Sequence, residues 1–303
     1  MKSFNEIYEE IYRDNIEGLE SIRKKKLKSA ITIILLTVIG IIVLTKLMIS
    51  IGIESLFFIH IILIILIFCI IKSNKKTGRY STIFKNKVIG PFVKNVDENL
   101  TYTPEKGIAS ALYRKCHFES FDNYDSEDCI EGLFEGKYDL RIAEVHTENE
   151  TTDSEGRRTT YTVFHGIFSN IKGIKDIGTT IRICSDKGFL GKLFNKKTRI
   201  EMDSSEFEEH FDVFTEDKIK TMQILTSDIM AMLVEFREQK KIRYEIIIEN
   251  YEVSMRFHTG EVFEPMLLKS TLDYDMLKKY YDIIDFVFKV TREINKVIEN
   301  TEI

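Results

Sequence analysis

The stretch Cys129–Glu148, CIEGLFEGKYDLRIAEVHTE, decides the fold: it reads as two strands around Gly136. The polar stretch that follows, Asn149–Arg158 (NETTDSEGRR), is predicted to be a hairpin tip. Arg157–Ile171 (RRTTYTVFHGIFSNI) then has the β-branched and aromatic bias that suits a pleated, half-buried surface. Thr179–Ser185 (TTIRICS) and Thr198–Met202 (TRIEM) add strands, and Ile242–Phe257 (IRYEIIIENYEVSMRF) reads as a hairpin turning near Glu249 and Asn250.

Helices surround this strand-rich region. Tyr80–Val96 reads as an amphipathic helix interrupted near Pro91, because proline lacks the amide hydrogen a helix needs. Lys106–Lys115 is a second short helix. Phe207, Phe211, Val213 and Phe214 suggest strand-like packing, Glu216 or Asp217 opens a helical segment, and Thr226 caps the next helix. Leu272–Glu299 closes the chain as a long helix with Leu277, Tyr281, Ile284, Phe288 and Ile294 in its apolar stripe. Strands with packed helices make the domain α+β, with a mainly antiparallel sheet.

The N-terminal part has a different character. Phe4, Ile7, Tyr8, Ile11, Tyr12, Ile16, Leu19 and Ile22 mark one face of an amphipathic helix. Ala30–Ser50, whose one charge is Lys46, and Ser55–Ile71, which has none, are two apolar runs, and a bilayer crossing needs about 20 such residues. They predict a two-helix transmembrane hairpin. Arg23, Lys24, Lys25, Lys26 and Lys28 precede it, and Lys72, Lys75, Lys76 and Arg79 follow it. Basic residues on both flanks predict an integral protein of the cytoplasmic membrane with both termini cytoplasmic. His60 falls inside the second run, where an ionisable residue is a functional candidate by default; a neutral imidazole bonded to the neighbouring helix is the plainer reading. The expected organisation is an amphipathic helix at 1–28, the transmembrane hairpin at 29–71, a juxtamembrane helix and linker at 72–105, and the cytoplasmic α+β domain at 106–303.

The run His210–Asp217 (HFDVFTED), with Ile224-Leu-Thr226 and Ile229, Met230 and Leu233, resembles an uncharacterised bacterial family of two-helix membrane proteins. The family is the domain of unknown function thirty-one thirty-seven. It often carries an acidic-Ala-Arg run after the aspartate, where this chain has Ile219, Lys220 and Thr221. The resemblance implies a membrane-anchored architecture and supplies no chemistry. Some members occur beside genes for LemA-like membrane proteins, which implies a LemA-like protein as a partner. The run's own residues read as core positions and helix caps.

The search for chemistry finds no phosphate-binding glycine loop, nucleophile elbow or paired-histidine zinc motif. Neither a catalytic, a cofactor-binding nor a metal-binding set is predicted, and no cofactor is expected. The four cysteines, Cys69, Cys116, Cys129 and Cys184, are too widely spaced for a CxxC pair and read as free thiols. Asp122, Asp125, Glu127 and Asp128 lack the spacing of a calcium loop and read as a solvated acidic loop. Glu206, Glu208, Glu209 and His210 read as a solvated face. A net charge of -5 gives nucleic acid no support as a partner.

Lys187–Arg199 (KGFLGKLFNKKTR) is greasy and basic at once. Lys187, Phe189, Leu190, Lys192, Leu193, Phe194, Lys196 and Lys197 are candidates for contact with a lipid surface; covering a sheet edge is the alternative. The expected function is a non-enzymatic interaction or regulatory module at the bilayer with a protein partner. The alternatives are a tethered enzyme with a dispersed site or a small transport component. Homo-oligomerisation is left open.

Overall fold

The structure, a computed structural model, describes residues 2–51, 64, 78–185 and 198–300. The chain divides into two compact units. One comprises Met1–Phe4, Val93–Val262 and Asp275–Ile303, and the other Asn5–Phe92 and Phe263–Tyr274.

In chain order the elements are α1 (Phe4–Ile51), α2 (Arg79–Phe84), a π turn (Lys85–Ile89), α3 (Gly90–Val96), β1 (Leu100–Thr103) and α4 (Ser110–Lys115). Strands β2 (Asn123–Phe134), β3 (Tyr138–Thr152), β4 (Arg158–Lys172), β5 (Thr180–Cys184) and β6 (Arg199–Ile200) follow. Then come α5 (Ser205–His210), β7 (Asp212–Thr215), α6 (Lys218–Ile224), α7 (Ser227–Lys240), β8 (Tyr244–Glu249), β9 (Glu252–Phe257) and α8 (Tyr274–Asn300).

The first unit is α+β. Among the described residues its strands form one nine-stranded sheet in the order β1-β2-β3-β4-β9-β8-β5-β7-β6, with every pairing antiparallel. Successive strand residues face opposite sides. One side packs Ala143, Val145, Phe168 and Ile247 against Tyr113 of α4 and against Phe118 and Phe121 after it. On the other side α8 covers the sheet. Phe286 meets Tyr244 and Phe257 at ring-centroid distances of 5.3 and 6.1 Å, and Phe288 stacks on Phe134 at 3.7 Å. Helices α6 and α7 start where their caps place them: Asp217 accepts from the Lys220 amide and Thr226 from that of Ile229. Phe207, expected in a strand, lies in α5, which Ser204 caps by accepting from the Phe207 amide.

In the second unit the return segment Phe263–Tyr274 is held by side chains of α1 and of the π turn. Tyr8 donates to the Leu272 carbonyl (2.9 Å), Arg23 to that of Leu267 (2.8 Å), and Lys85 pairs with Glu264 at 2.8 Å. Glu20 accepts from the Thr271 amide (2.7 Å) and from Arg23. Burial works to raise its carboxyl, but the bonds from Arg23, the Thr271 amide and Ser270 outweigh it and hold the group down at about 2. Pro91 does not break its helix. The wider π turn just before it absorbs the missing amide hydrogen and the ring, and the chain continues as α3.

Among the described residues no helix is long and apolar enough to cross a membrane. This corrects the transmembrane hairpin expected at 29–71, and with it the placement as an integral membrane protein with both termini cytoplasmic. Ala30–Ser50 is the C-terminal part of α1, a 48-residue helix whose first half is rich in charge. Ile31, Leu35, Leu36, Ile39 and Val43 on it are exposed. The second run, 55–71, lies outside the described residues apart from Ile64, and so do His60, Lys72, Lys75 and Lys76.

Candidate functional site

The charged chemistry of the first unit gathers around the middle of the sheet. On β9, Phe257 faces α8, so its neighbour Arg256 must point to the opposite side. There it enters a buried cluster. Its Nε lies 2.5 Å from Glu245 of β8, its Nη1 meets Glu119, and the same nitrogen donates to the Tyr113 hydroxyl at 3.1 Å. The side chains of Arg256 and Glu245 are 3% exposed and that of Glu119 4%. The guanidinium lies over Phe118 and Phe164, 4.4 and 5.1 Å from their ring centres. Glu119 also accepts from Tyr113 (2.7 Å) and from Thr147 (3.2 Å).

His258 is a further partner of Glu245, with Nε2 3.2 Å from both carboxyl oxygens. Burial pushes the guanidinium below the ordinary arginine value, opposed by Tyr113, yet arginine remains a cation. Burial likewise raises the Tyr113 hydroxyl. Such a cluster is costly to desolvate and holds only because each charge has a partner.

A second group lies on β3 and β4. Glu144, 3% exposed, accepts from the Val262 amide (2.8 Å) and lies 2.7 Å from Nε2 of His165. His146 is directly opposite His165, with the rings stacked 4.5 Å apart, and its Nε2 is 3.0 Å from the Thr162 hydroxyl. Gly166, next to His165, is forced by space: a Cβ there would lie 2.0 Å from the Phe257 carbonyl oxygen.

Beyond these groups β3 and β4 continue as a two-stranded arm. β2 pairs with β3 only as far as Glu148, and β9 pairs with β4 only from Ile167. Residues 150–162 are exposed. At the tip Asp153 accepts from the amides of Glu155 and Arg157 and from the Arg157 side chain, and Gly156 has φ +79. Along the outer side of β3, Asp122 accepts from the Glu150 amide (2.8 Å) and Asn123 donates to Glu150 (3.1 Å). The outer side of β4 has no such cover: among the described residues, no strand pairs with it between Arg158 and Gly166.

The remaining candidates fall elsewhere. Lys187, Phe189, Leu190, Lys192, Leu193, Phe194, Lys196 and Lys197 lie outside the described residues. Arg23, Lys24, Lys25, Lys26 and Lys28 are on α1, and Arg79 opens α2. The expected acidic loop is instead mostly strand β2, and Asp128 in it is fully buried and bonded by the Tyr102 hydroxyl. Glu208 is engaged by Arg199 and by the Met202 amide, and His210 by Glu238. Cys116, Cys129 and Cys184 are free and buried; burial raises the Cys116 and Cys129 thiols to about 11. No group of three metal-binding side chains occurs among the described residues. A polar cleft of about 560 Å³, lined by Lys2, Asn95, Asp97, Phe134, Glu135 and Arg292 among others, opens at the end of β2 and β3 opposite the arm.

His146 and His165 went unread as a pair, although both stand about ten residues from Gly156, so the predicted hairpin already sets them opposite one another. No comparable signal marks Glu119, which approaches Arg256 from an irregular segment.

No curated protein and no solved structure matches the chain. The matching family covers the sheet from the outer part of β4 onward, leaving β3 and the tip of the arm outside it. Residues 162–296 match the family described as Protein of unknown function (DUF3137).

Proposed function

We propose that the chain is a non-enzymatic interaction or regulatory module that presents the β3–β4 arm to a protein partner. One contrast carries this reading: buried charges at the base of the arm are engaged with one another, while the arm itself is exposed on both faces. A ribbon of two strands buries too little to stabilise itself. An arm that extends past its flanking strands therefore contributes little to stability, and recognition by β-strand contact is a use its geometry suits. Through the family resemblance, a LemA-like protein is the first partner to try.

The test is affinity capture on the full chain and on a variant with a shortened arm, in which Asn-Gly joins Glu150 directly to Thr160. A partner bound by the full chain and lost from the shortened one supports the reading. Equal capture by both overturns the arm's role. Turnover of a substrate that one side-chain change abolishes overturns the non-enzymatic reading.

A further inference from the structure

The polar cleft at the end of the sheet opposite the arm is lined by residues of the first unit throughout. Its volume, about 560 Å³, is that of a small-molecule site. One wall is the end of α3 and the chain leading into β1, with Lys2 beside it; another is the turn between β2 and β3, and the third is α8. The first wall is tied down. The Asp97 carboxylate accepts from the Asn99 amide at 2.9 Å, and Leu100 pairs with Gly132 of β2. In the second wall Phe134 is buried and Glu135 has φ +53. Left-handed backbone suits Gly, Asn or Asp better than glutamate. The glutamate found there reaches Arg292 of α8, whose Nε lies 2.7 Å from its carboxylate and whose guanidinium lies over Phe134, 4.9 Å from the ring centre.

The cleft carries charge of both signs. Lys2, Lys94 and Arg292 supply three cations, and Asp97, Glu98 and Glu135 three carboxylates. Among the described residues, one ion pair joins the two sets, Glu135 with Arg292. Lys94 donates instead to the Glu98 backbone carbonyl (2.7 Å), and Lys2 donates to the Asn95 side-chain carbonyl (2.6 Å). The carboxylates of Asp97 and Glu98 meet no cation among the described residues. A ligand with negative charge alone would face three carboxylates, and one with positive charge alone would face three cations. A ligand carrying one charge of each sign escapes both repulsions.

We propose that this cleft binds a zwitterion, a free amino acid or a short peptide, with its carboxylate on Arg292 and Lys94 and its ammonium group on Asp97 and Glu98. A guanidinium offers a carboxylate two parallel N–H donors, and stacking on Phe134 with Glu135 at Nε holds the Arg292 fork in place. The site lies away from the arm and does not depend on what the arm binds.

Calorimetric titration of the full chain with alanine and, separately, with alanylalanine tests this. At least one should bind saturably in the millimolar range, as partly exposed charges allow. N-acetyl-alanylalanine and alanylalanine amide each lack one of the two charges and should bind roughly ten-fold more weakly or worse than alanylalanine or alanine, whichever binds. Binding of alanine alone assigns the cleft to amino acids, and binding of alanylalanine alone assigns it to peptides. Lys94→Gln changes an exposed side chain, and Asp97→Asn keeps an acceptor for the Asn99 amide, so both variants should retain the parent Tm. Each should nevertheless raise the dissociation constant about five-fold or more. The proposal is overturned by the absence of saturable binding to either compound, or by blocked forms that bind as well as free ones. Acetate binding as tightly as alanine and alanylalanine, or a dissociation constant that neither substitution moves, overturns it equally.

Discussion

The β3–β4 hairpin changes character halfway along its length. From Tyr138 to Thr147 and from Phe164 to Lys172 its strands are mostly buried, with β2 beside the first and β9 beside the second from Ile167 onward. From Glu150 to Thr162 the same antiparallel pairing continues with exposed side chains. The ladder is antiparallel in both halves, with one register shift between Thr147 and Glu148 where they meet, so pairing alone does not make a sheet a core. What differs is who sits above, below and beside the strands. Beside the inner half, Arg256 of β9 sits between the carboxyl groups of Glu119 and Glu245, where Tyr113, Phe118 and Phe164 exclude water around it. The outer half keeps its charges at the tip, where Arg157 pairs with Asp153 at 71% and 42% side-chain exposure, a geometry worth little.

The largest break in this comparison is expected at Arg256. Its loss in Arg256→Ala leaves Glu119 and Glu245 buried without their cation, which costs about 3–5 kcal/mol. Urea unfolding reads it directly, and a loss below about 1 kcal/mol would mean that water reaches the cluster. Thiol chemistry gives a second measure. Cys129 is held at about 11, two units above the ordinary thiol. At neutral pH it should therefore react with iodoacetamide about 100-fold more slowly than Ser154→Cys in the arm, before burial slows it further. Comparable rates would show that the core packed beside the inner half opens readily. Third comes Gly166→Ala, whose Cβ would press on the Phe257 carbonyl and should cost roughly 1–3 kcal/mol. Gly156→Ala at the tip meets nothing within 4 Å, so only its positive φ opposes it, at about 1 kcal/mol. Equal effects at the two glycines would erase the distinction between inner and outer halves.

The hairpin's existence was legible because its signals are local. Gly136, the polar run at Asn149–Arg158 and the flanking β-prone residues can be read without knowing what they pack against. Helix starts at Asp217 and Thr226 are local in the same way, since a cap reaches only a few residues ahead. The site was less legible because its partners are distant: Arg256 meets Glu119, 137 residues away. Charge-rich Asp122–Cys129 misled for a related reason. Composition suggested water, but pairing with β1 and β3 turns most of it into strand and buries Asp128. Pro91 misled because a π turn is a tertiary accommodation that proline alone does not announce. The N-terminal stripe from Phe4 to Ile22 allows a helix that continues straight into the first apolar run, and α1 does run unbroken from Phe4 to Ile51.

The smallest effect should follow from removing the outer half itself. Glu150 and Thr160 are directly opposite, so Asn-Gly between them closes the ribbon in a two-residue turn without shifting the register below. The deleted residues, 151–159, are all exposed, so little apolar burial is lost. The shorter chain also has fewer residues to order, which offsets the few ladder bonds removed. Unfolding free energy should therefore change by no more than about 0.5 kcal/mol, as for exposed substitutions elsewhere. A loss above about 2 kcal/mol would place the arm within the cooperative core and break the comparison. With stability unchanged, any loss of partner capture by the shortened chain belongs to the arm's contacts and not to a damaged fold.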